Sequence, residues 1–223
     1  MNWLIEFFGT AANWSGPSGI PARLLEHVEF SAVALLLSMI IAIPLGLFIG
    51  HTGRGGVVVV VAANAARALP TLGLVVLIVL LVGVGSTWPV LAPLIALAVP
   101  PILVNTYEGI RGVERDLRDA AYGMGLRGGQ VLLKVLVPVA LPLILLGLRI
   151  AAIQVVATAT VAAYVGLGGL GRYIIDGLAT KDFPSTLGGA VLVVALALLV
   201  QLGFAVLQRA VVSPGVSRRV KSR

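Results

Sequence analysis

Few residues in this chain could carry chemistry, and most of them fail a simple test of spacing. Gly166-Leu167-Gly168-Gly169-Leu170-Gly171 fits the G-x-G-x-x-G pattern. A dinucleotide site also needs a strand before it, a helix opening from it and an acid about 20 residues further on. Here an apolar run precedes the glycines, so they read as a tight turn in which backbone must approach backbone. Lys134, Lys181 and Lys221 all lack the glycine frame of a phosphate-cradling P-loop. No pair of carboxylates and no Ser/His/Asp set has a spacing suited to acid–base or nucleophilic catalysis. With no cysteine, and with His27 and His51 isolated, neither a thiolate site nor a metal cluster is visible. Each histidine is expected as an interfacial polar residue. The chain is therefore expected not to be an enzyme, to bind no metal and to hold no cofactor of its own.

What remains is a set of polar residues stranded in oil. Asn64, Arg67, Asn105, Glu108, Arg149, Gln154, Thr158 and Thr160 lie in or near long apolar runs. Such groups are costly in lipid and usually face the interior of a bundle. Asn64, Asn105, Thr158 and Thr160, with Gly166, Gly168 and Gly169 of the turn, are candidates for lining or gating a pathway. Hydrogen bonds that only hold helices together would explain the polar four equally well. Glu108 and Arg149 are a candidate buried ion pair, the alternative being that Arg149 snorkels to the headgroups.

The elements that must position these residues follow from composition. Of 223 residues, 59% are hydrophobic and only 11% charged, and the mean hydropathy is +1.07. A soluble domain carries about a quarter charged residues, so this is a polytopic membrane chain. Five apolar runs are long enough to cross: Phe30 to Gly50, Val57 to Gly85, about Val90 to Ile110, about Leu141 to Val165, and Leu187 to about Leu207. The second exceeds one straight span and contains Asn64, Arg67 and Pro70, which predicts a broken or tilted helix. Gly46 and Gly50 in the first form a small-xxx-small pair suited to close helix contact. Residues 1–23 read as an interfacial, extracytoplasmic segment with Trp3 and Phe7 on one helix face, or as a plain tail. Residues 24–212 read as the transmembrane domain and 213–223 as a basic tail. No leader peptide and no fused ATPase, binding or regulatory domain is expected.

Charge placement sets the orientation. Arg54, then Arg111, Arg115, Arg118, Arg127 and Lys134, then Arg209, Arg218, Arg219, Lys221 and Arg223 all fall on one side of the spans. Only Arg23, Arg172 and Lys181 fall on the other. Basic loops stay in the cytoplasm, so the N-terminus is expected outside and the C-terminus inside a bacterial cytoplasmic membrane. The same rule accounts for the net charge of +7 without invoking nucleic acid.

The cytoplasmic insert, residues 111–137, is the most charged interior stretch. Glu114 to Tyr122 has good helix propensity, and Gly123 and Gly125 should stop it. Gln130 to Val137 can resume as a helix, to be stopped by Pro138. Helices this short are marginal alone in water and need a surface to pack on. Ala120 and Ala121 allow close approach, and Met124 and Leu126 put apolar groups at the bend. The insert is either a docking element or an ordinary solvated loop.

At this point a resemblance enters. Asp119-Ala120-Ala121, three residues, Gly125, nine residues and Val135-Leu136-Val137-Pro138 resembles the EAA motif of ABC importer permeases, with Asp for Glu and Val for Ile and Leu. LLEHVEFS, ARALPTLGLVVL, PPILVNTYEGIRGV, GLRIAAIQVVATATVAAYVGLGGLG and IIDGLATKD are similar to the branch that takes up glycine betaine, choline and carnitine. The resemblance implies an all-α, five-span type I importer permease with a coupling helix. Asp119, Ala120, Ala121, Met124, Gly125, Leu126 and Arg127 would then dock on a partner ATPase carrying ATP and Mg. It further implies an extracytoplasmic substrate-binding protein docking near the glycine turn, and a second permease chain, identical or paralogous. A permease for another small solute such as methionine, or a structural or regulatory membrane subunit that moves nothing, are the alternatives.

Overall fold

In the computed structural model the chain is described over residues 2–83 and 86–212, with Asn64 and Arg67 described by their backbone only. The basic tail from Ser213 on lies outside the described residues. Every regular element described is helical: α1 (Trp3–Gly9), α2 (Ile20–Thr52), α3 (Gly56–Arg67), α4 (Thr71–Val82), α5 (Trp88–Arg111), α6 (Arg115–Gly123), α7 (Gly128–Val131), α8 (Val137–Thr158), α9 (Gly171–Thr180) and α10 (Phe183–Val211). Short 3-10 stretches cover Ala11–Trp14 and Ala159–Val165. A π turn, Leu132–Leu136, joins α7 to α8.

Among the described residues, four helical stretches are long and apolar enough to cross a membrane: Ile20–Thr52, Trp88–Arg111, Gly128–Val165 and Phe183–Val211. The second apolar run behaves differently. It folds as α3 and α4, each 12 residues and so about 18 Å long, short of the roughly 30 Å of a hydrocarbon core. The break falls at Ala68–Pro70. Pro70 has no N–H to continue the ladder, and the residue before a proline is pushed out of the helical region. The broken helix expected from the sequence is thus present.

The helices divide between two compact units. One comprises residues up to Leu37, Leu69–Ala98 and Ala152–Val200; the other comprises Ser38–Ala68, Val99–Ala151 and residues from Gln201 on. In the first unit α1 is anchored by Phe7, which is 1% exposed. The Phe7 ring lies where a Cβ on Gly188 of α10 would be, and meets Tyr173 edge-on with centroids 5.2 Å apart. Trp3, on the same face, stacks on Phe183 at 5.6 Å. The amino-terminal segment is therefore a packed helix, and α4 packs against the 3-10 stretch Ala159–Val165.

The second unit is held by small residues at helix contacts. A Cβ on Gly46 would lie 2.7 Å from Thr106 Cβ, and one on Gly50 would lie 2.8 Å from Ile110 Cβ, so the small-xxx-small pair carries the α2–α5 contact. On the other flank, Gly109 of α5 faces Ala140 and Leu143 of α8, and a Cβ on Gly147 of α8 would lie 2.7 Å from Asn105 Cβ. Without a hydrophobic drive between helices in lipid, such close approach supplies much of the attraction.

A direct comparison of two helix glycines checks this packing. Gly46→Ala should destabilise the detergent-solubilised chain by about 1–3 kcal/mol through overpacking. Gly203→Ala meets nothing within 4 Å and should be neutral or stabilising by up to about 1 kcal/mol through helix propensity. Equal melting temperatures for the two variants would show that the α2–α5 contact is not close.

Candidate functional site

The insert is built from local signals. Helix α5 ends at Arg111, and the Arg118 guanidinium of α6 reaches back to donate to the Ile110 carbonyl at 2.9 Å, tying the insert to the end of the apolar helix. Helix α6 closes as a Schellman turn. The Gly125 N–H donates to the Tyr122 carbonyl at 2.9 Å and the Leu126 N–H to the Ala121 carbonyl at 3.3 Å. Gly125 sits at φ +82°, a left-handed conformation that glycine adopts without a Cβ penalty. The chain then turns at Arg127, whose backbone N–H donates to the Gln130 side chain at 2.8 Å.

Where the chain resumes, the structure departs from the expectation that Pro138 stops a helix. The helical path runs from Gly128 through Pro138 into α8 without a stop. The π turn absorbs the proline. The Val137 N–H donates to the Leu132 carbonyl, five residues back, and Pro138 follows with no N–H to place.

The seven residues singled out here lie together in one insert, but they face differently. Asp119, Ala120, Met124, Gly125 and Arg127 are exposed, Leu126 is half-buried, and Met124 presents 74% of its surface. Ala121 is 1% exposed and packs on the chain's own body. One residue along a helix is a turn of about 100°, so adjacent alanines cannot serve the same neighbour. Only Ala120 is left open to close approach from outside.

The polar residues of the apolar runs are less connected than their sequence suggested. Asn105 donates to the Pro101 carbonyl at 2.7 Å, one turn back on its own helix. Thr160 donates to the Ala157 carbonyl at 3.0 Å, and Thr158 is half-buried at the end of α8. Asn105 belongs to the second unit, and Thr158 and Thr160 to the first. The side chain of Asn64 lies outside the described residues. The expected pair of Glu108 and Arg149 is not formed. Arg149 Nε donates instead to Gln201 Oε1 of α10 at 2.6 Å, and Glu108 is exposed. The reason is angular. Gly147 is the α8 residue that faces α5, and Arg149 is about 200° further round. Glu108 is likewise one residue off Gly109, which faces α8.

The glycine-rich turn does grip an anion, but the anion belongs to the chain. Gly166 and Gly169 have φ of +77° and +90°. The Gly169 N–H donates to Glu26 Oε2 at 2.7 Å, and a Cβ on Gly168 would fall on the same carboxylate. The adjacent Leu170 N–H donates to His27 Nδ1 at 3.3 Å, while His27 Nε2 bonds the Val156 carbonyl at 2.9 Å. His27 is thus 0% exposed, contrary to its expected interfacial place. It stitches α2 to the end of α8 and to the turn, and a ring with its proton on Nε2 satisfies both partners. Arg23 completes the set with an ion pair to Glu26 at 2.9 Å. Backbone N–H groups exposed by left-handed glycines make an anion-binding nest. Gly171 meets the Thr160 backbone, as a turn of this kind requires. Nearby, Tyr173 donates to the Ser18 carbonyl at 2.6 Å; burial raises its phenol above the usual value, against the lowering effect of Arg23. Sequence reasoning missed Glu26 and His27. The available signal was their adjacency at the edge of an apolar run, since the partner glycines lie more than 140 residues away.

Comparison with known proteins bears on all of this. Residues 42–216 match the family described as binding-protein-dependent transport system inner membrane component. The chain is 36% identical over 191 residues to the glycine betaine/carnitine/choline transport system permease protein OpuCB of Bacillus subtilis, covering 86% of this chain and 88% of that one. It is 34% identical over 183 residues to the carnitine transport permease protein OpuCB of Listeria monocytogenes, covering 82% and 84%. With the osmoprotectant import permease protein OsmY of Salmonella typhimurium the identity is 31% over 176 residues, covering 78% and 74%. Among solved structures, the inward-facing MetNI methionine ABC transporter shares the fold, with TM-score 0.74 at 24% identity over 87% of this chain and 96% of that one. The observed helices are thus those of a type I importer permease, a multi-pass membrane fold. The chain belongs to the binding-protein-dependent transport system inner membrane component family of ABC importer permeases.

Proposed function

We propose that this chain is the permease subunit of an osmoprotectant importer that moves glycine betaine, choline, carnitine or a related quaternary ammonium compound. The observation that carries this reading is the likeness, over most of both chains, to permeases named for those cargoes. The likeness to the methionine transporter is one of fold at 24% identity and favours methionine less. Residues 24–212 are the permease domain, with the N-terminus outside and the C-terminus inside. Two ATPase subunits hold ATP and Mg, an extracytoplasmic protein delivers the cargo, and a second permease chain completes the pathway.

In this reading the insert is the coupling helix. Its exposed Asp119, Ala120 and Met124 sit in a groove of the ATPase, while Ala121 and the Arg118–Ile110 bond fasten it to the spans. Alternating access then needs a rigid connection. Reversing a 1:99 equilibrium takes about 5.5 kcal/mol of differential binding. A helix closed by a Schellman turn and bonded to the end of α5 can pass on a load of that size, whereas a mobile loop would dissipate it. The glycine turn, held by Glu26 through Gly168 and Gly169, is the outer gate element. Asn64, Asn105, Thr158 and Thr160 are pathway candidates.

Two experiments test the proposal. Gly125→Val forces a branched side chain into a left-handed conformation at a cost of about 1–2 kcal/mol, spent within the turn. It should leave membrane insertion unchanged and lower choline uptake at least tenfold; uptake at the parental rate would remove the coupling assignment. For cargo, radiolabelled choline or glycine betaine uptake should be competed by the other quaternary compounds and left untouched by excess methionine. Competition by methionine alone would transfer the chain to the second reading.

A further inference from the structure

Within the second unit, the ends of α2 and α5 and the start of α6 enclose an open cavity of about 440 Å³. Its wall includes His51, Thr52, Arg111, Arg115, Arg118 and Asp119. Three guanidiniums against one carboxylate leave a surplus of two formal positive charges on the wall. Two polar atoms of residues in this wall, His51 Nδ1 and Arg118 Nε, lie behind its surface, buried and with no hydrogen-bond partner. Buried donors and acceptors are nearly always satisfied, so an orphan pair beside one cavity asks for a ligand.

The arginines are held in place by the chain itself. Arg118 Nη2 donates to the Ile110 carbonyl at 2.9 Å. Arg111 Nη1 donates to the Tyr107 hydroxyl at 2.6 Å, with the guanidinium 5.7 Å over that ring. Each keeps further N–H groups for another partner, and a guanidinium fork matches the oxygens of a phosphate. The place is also telling. Gly50, His51 and Thr52 close one candidate membrane span and Arg111 closes another, so the cavity opens where apolar stretches end, at the level of lipid headgroups.

We propose that this cavity is a phosphate-binding site, filled by the headgroup of an anionic phospholipid or by free phosphate. The bound group accepts from the remaining N–H groups of Arg111 and Arg115 and, as the Arg118 guanidinium turns toward it, from Arg118 Nε. It neutralises the surplus charge and ties α6 to the ends of α2 and α5. Occupancy of the site is read without transport.

The test is phosphorus NMR on the full-length chain in a phosphorus-free maltoside detergent. The probes are inorganic phosphate and short-chain phosphatidylglycerol, titrated separately at constant ionic strength. At least one probe signal should broaden saturably. Arg115→Gln and Arg118→Gln should each weaken that binding about tenfold, the effect of one charge-assisted bond. Arg172→Gln, in the first unit, should leave it unchanged. Broadening of inorganic phosphate assigns the site to free phosphate, and broadening of the lipid alone assigns it to the headgroup. Arg118 also supports Ile110, so a misfolded Arg118→Gln leaves Arg115→Gln, at an exposed position, to carry the test. Absence of saturable binding by either probe, or equal binding by the parent and Arg115→Gln, overturns the proposal.

Discussion

Hydrocarbon offers a peptide group no hydrogen-bond partner, and that constraint shapes three irregularities among the described residues. Where the backbone leaves the α-helical ladder, a local device takes over its orphaned groups. At Pro70 the device is a clean break into two short helices. At Pro138 it is a π turn that moves the donor just before the proline to a carbonyl five residues back. At the glycine turn the freed N–H groups of Gly169 and Leu170 are taken by Glu26 and His27 of α2. Of these three sites, the glycine turn is also a functional candidate, so one discontinuity of the fold and one candidate coincide.

The same constraint explains why packing is done by what is missing. Gly46, Gly50, Gly109 and Gly147 let backbones meet where any side chain would hold them apart. Polar side chains within the helices mostly turn to their own backbone, as Asn105 does to Pro101 and Thr160 to Ala157. Arg149 instead reaches across to Gln201, as Glu26 and His27 reach across to the glycine turn. A guanidinium in lipid needs an acceptor, and a neutral amide oxygen supplies one without the desolvation of a second charge.

What could be read from the sequence was what depends on near neighbours. The stop at Gly123–Gly125, the break at Pro70 and the close contact at Gly46 and Gly50 follow from residue type within one or two turns, and each is present. What depends on angle around a helix or on distant partners was hidden. The Glu108–Arg149 pairing failed because two residues of offset carried Arg149 to the far side of α8. The inward turn of Ala121 is the same effect one residue at a time. His27 could not be recognised as a buried cross-link because both of its partners lie in the last third of the chain. The glycine pattern was read as a tight turn, but the carboxylate inside it comes from the other end of the sequence.

That separation has a consequence for biosynthesis. Glu26 and Gly169 are 143 residues apart. A ribosome adding about 5–20 residues per second needs roughly 7–30 s between them. For that interval the first span has been made while its carboxylate and imidazole still lack the amides that will satisfy them. The turn that relieves them can close only after α8 has been made. Closure of this stitch therefore marks a late point in assembly of the nascent chain, and a chain truncated before Gly169 would retain its first helix with neither group holding its amide donor.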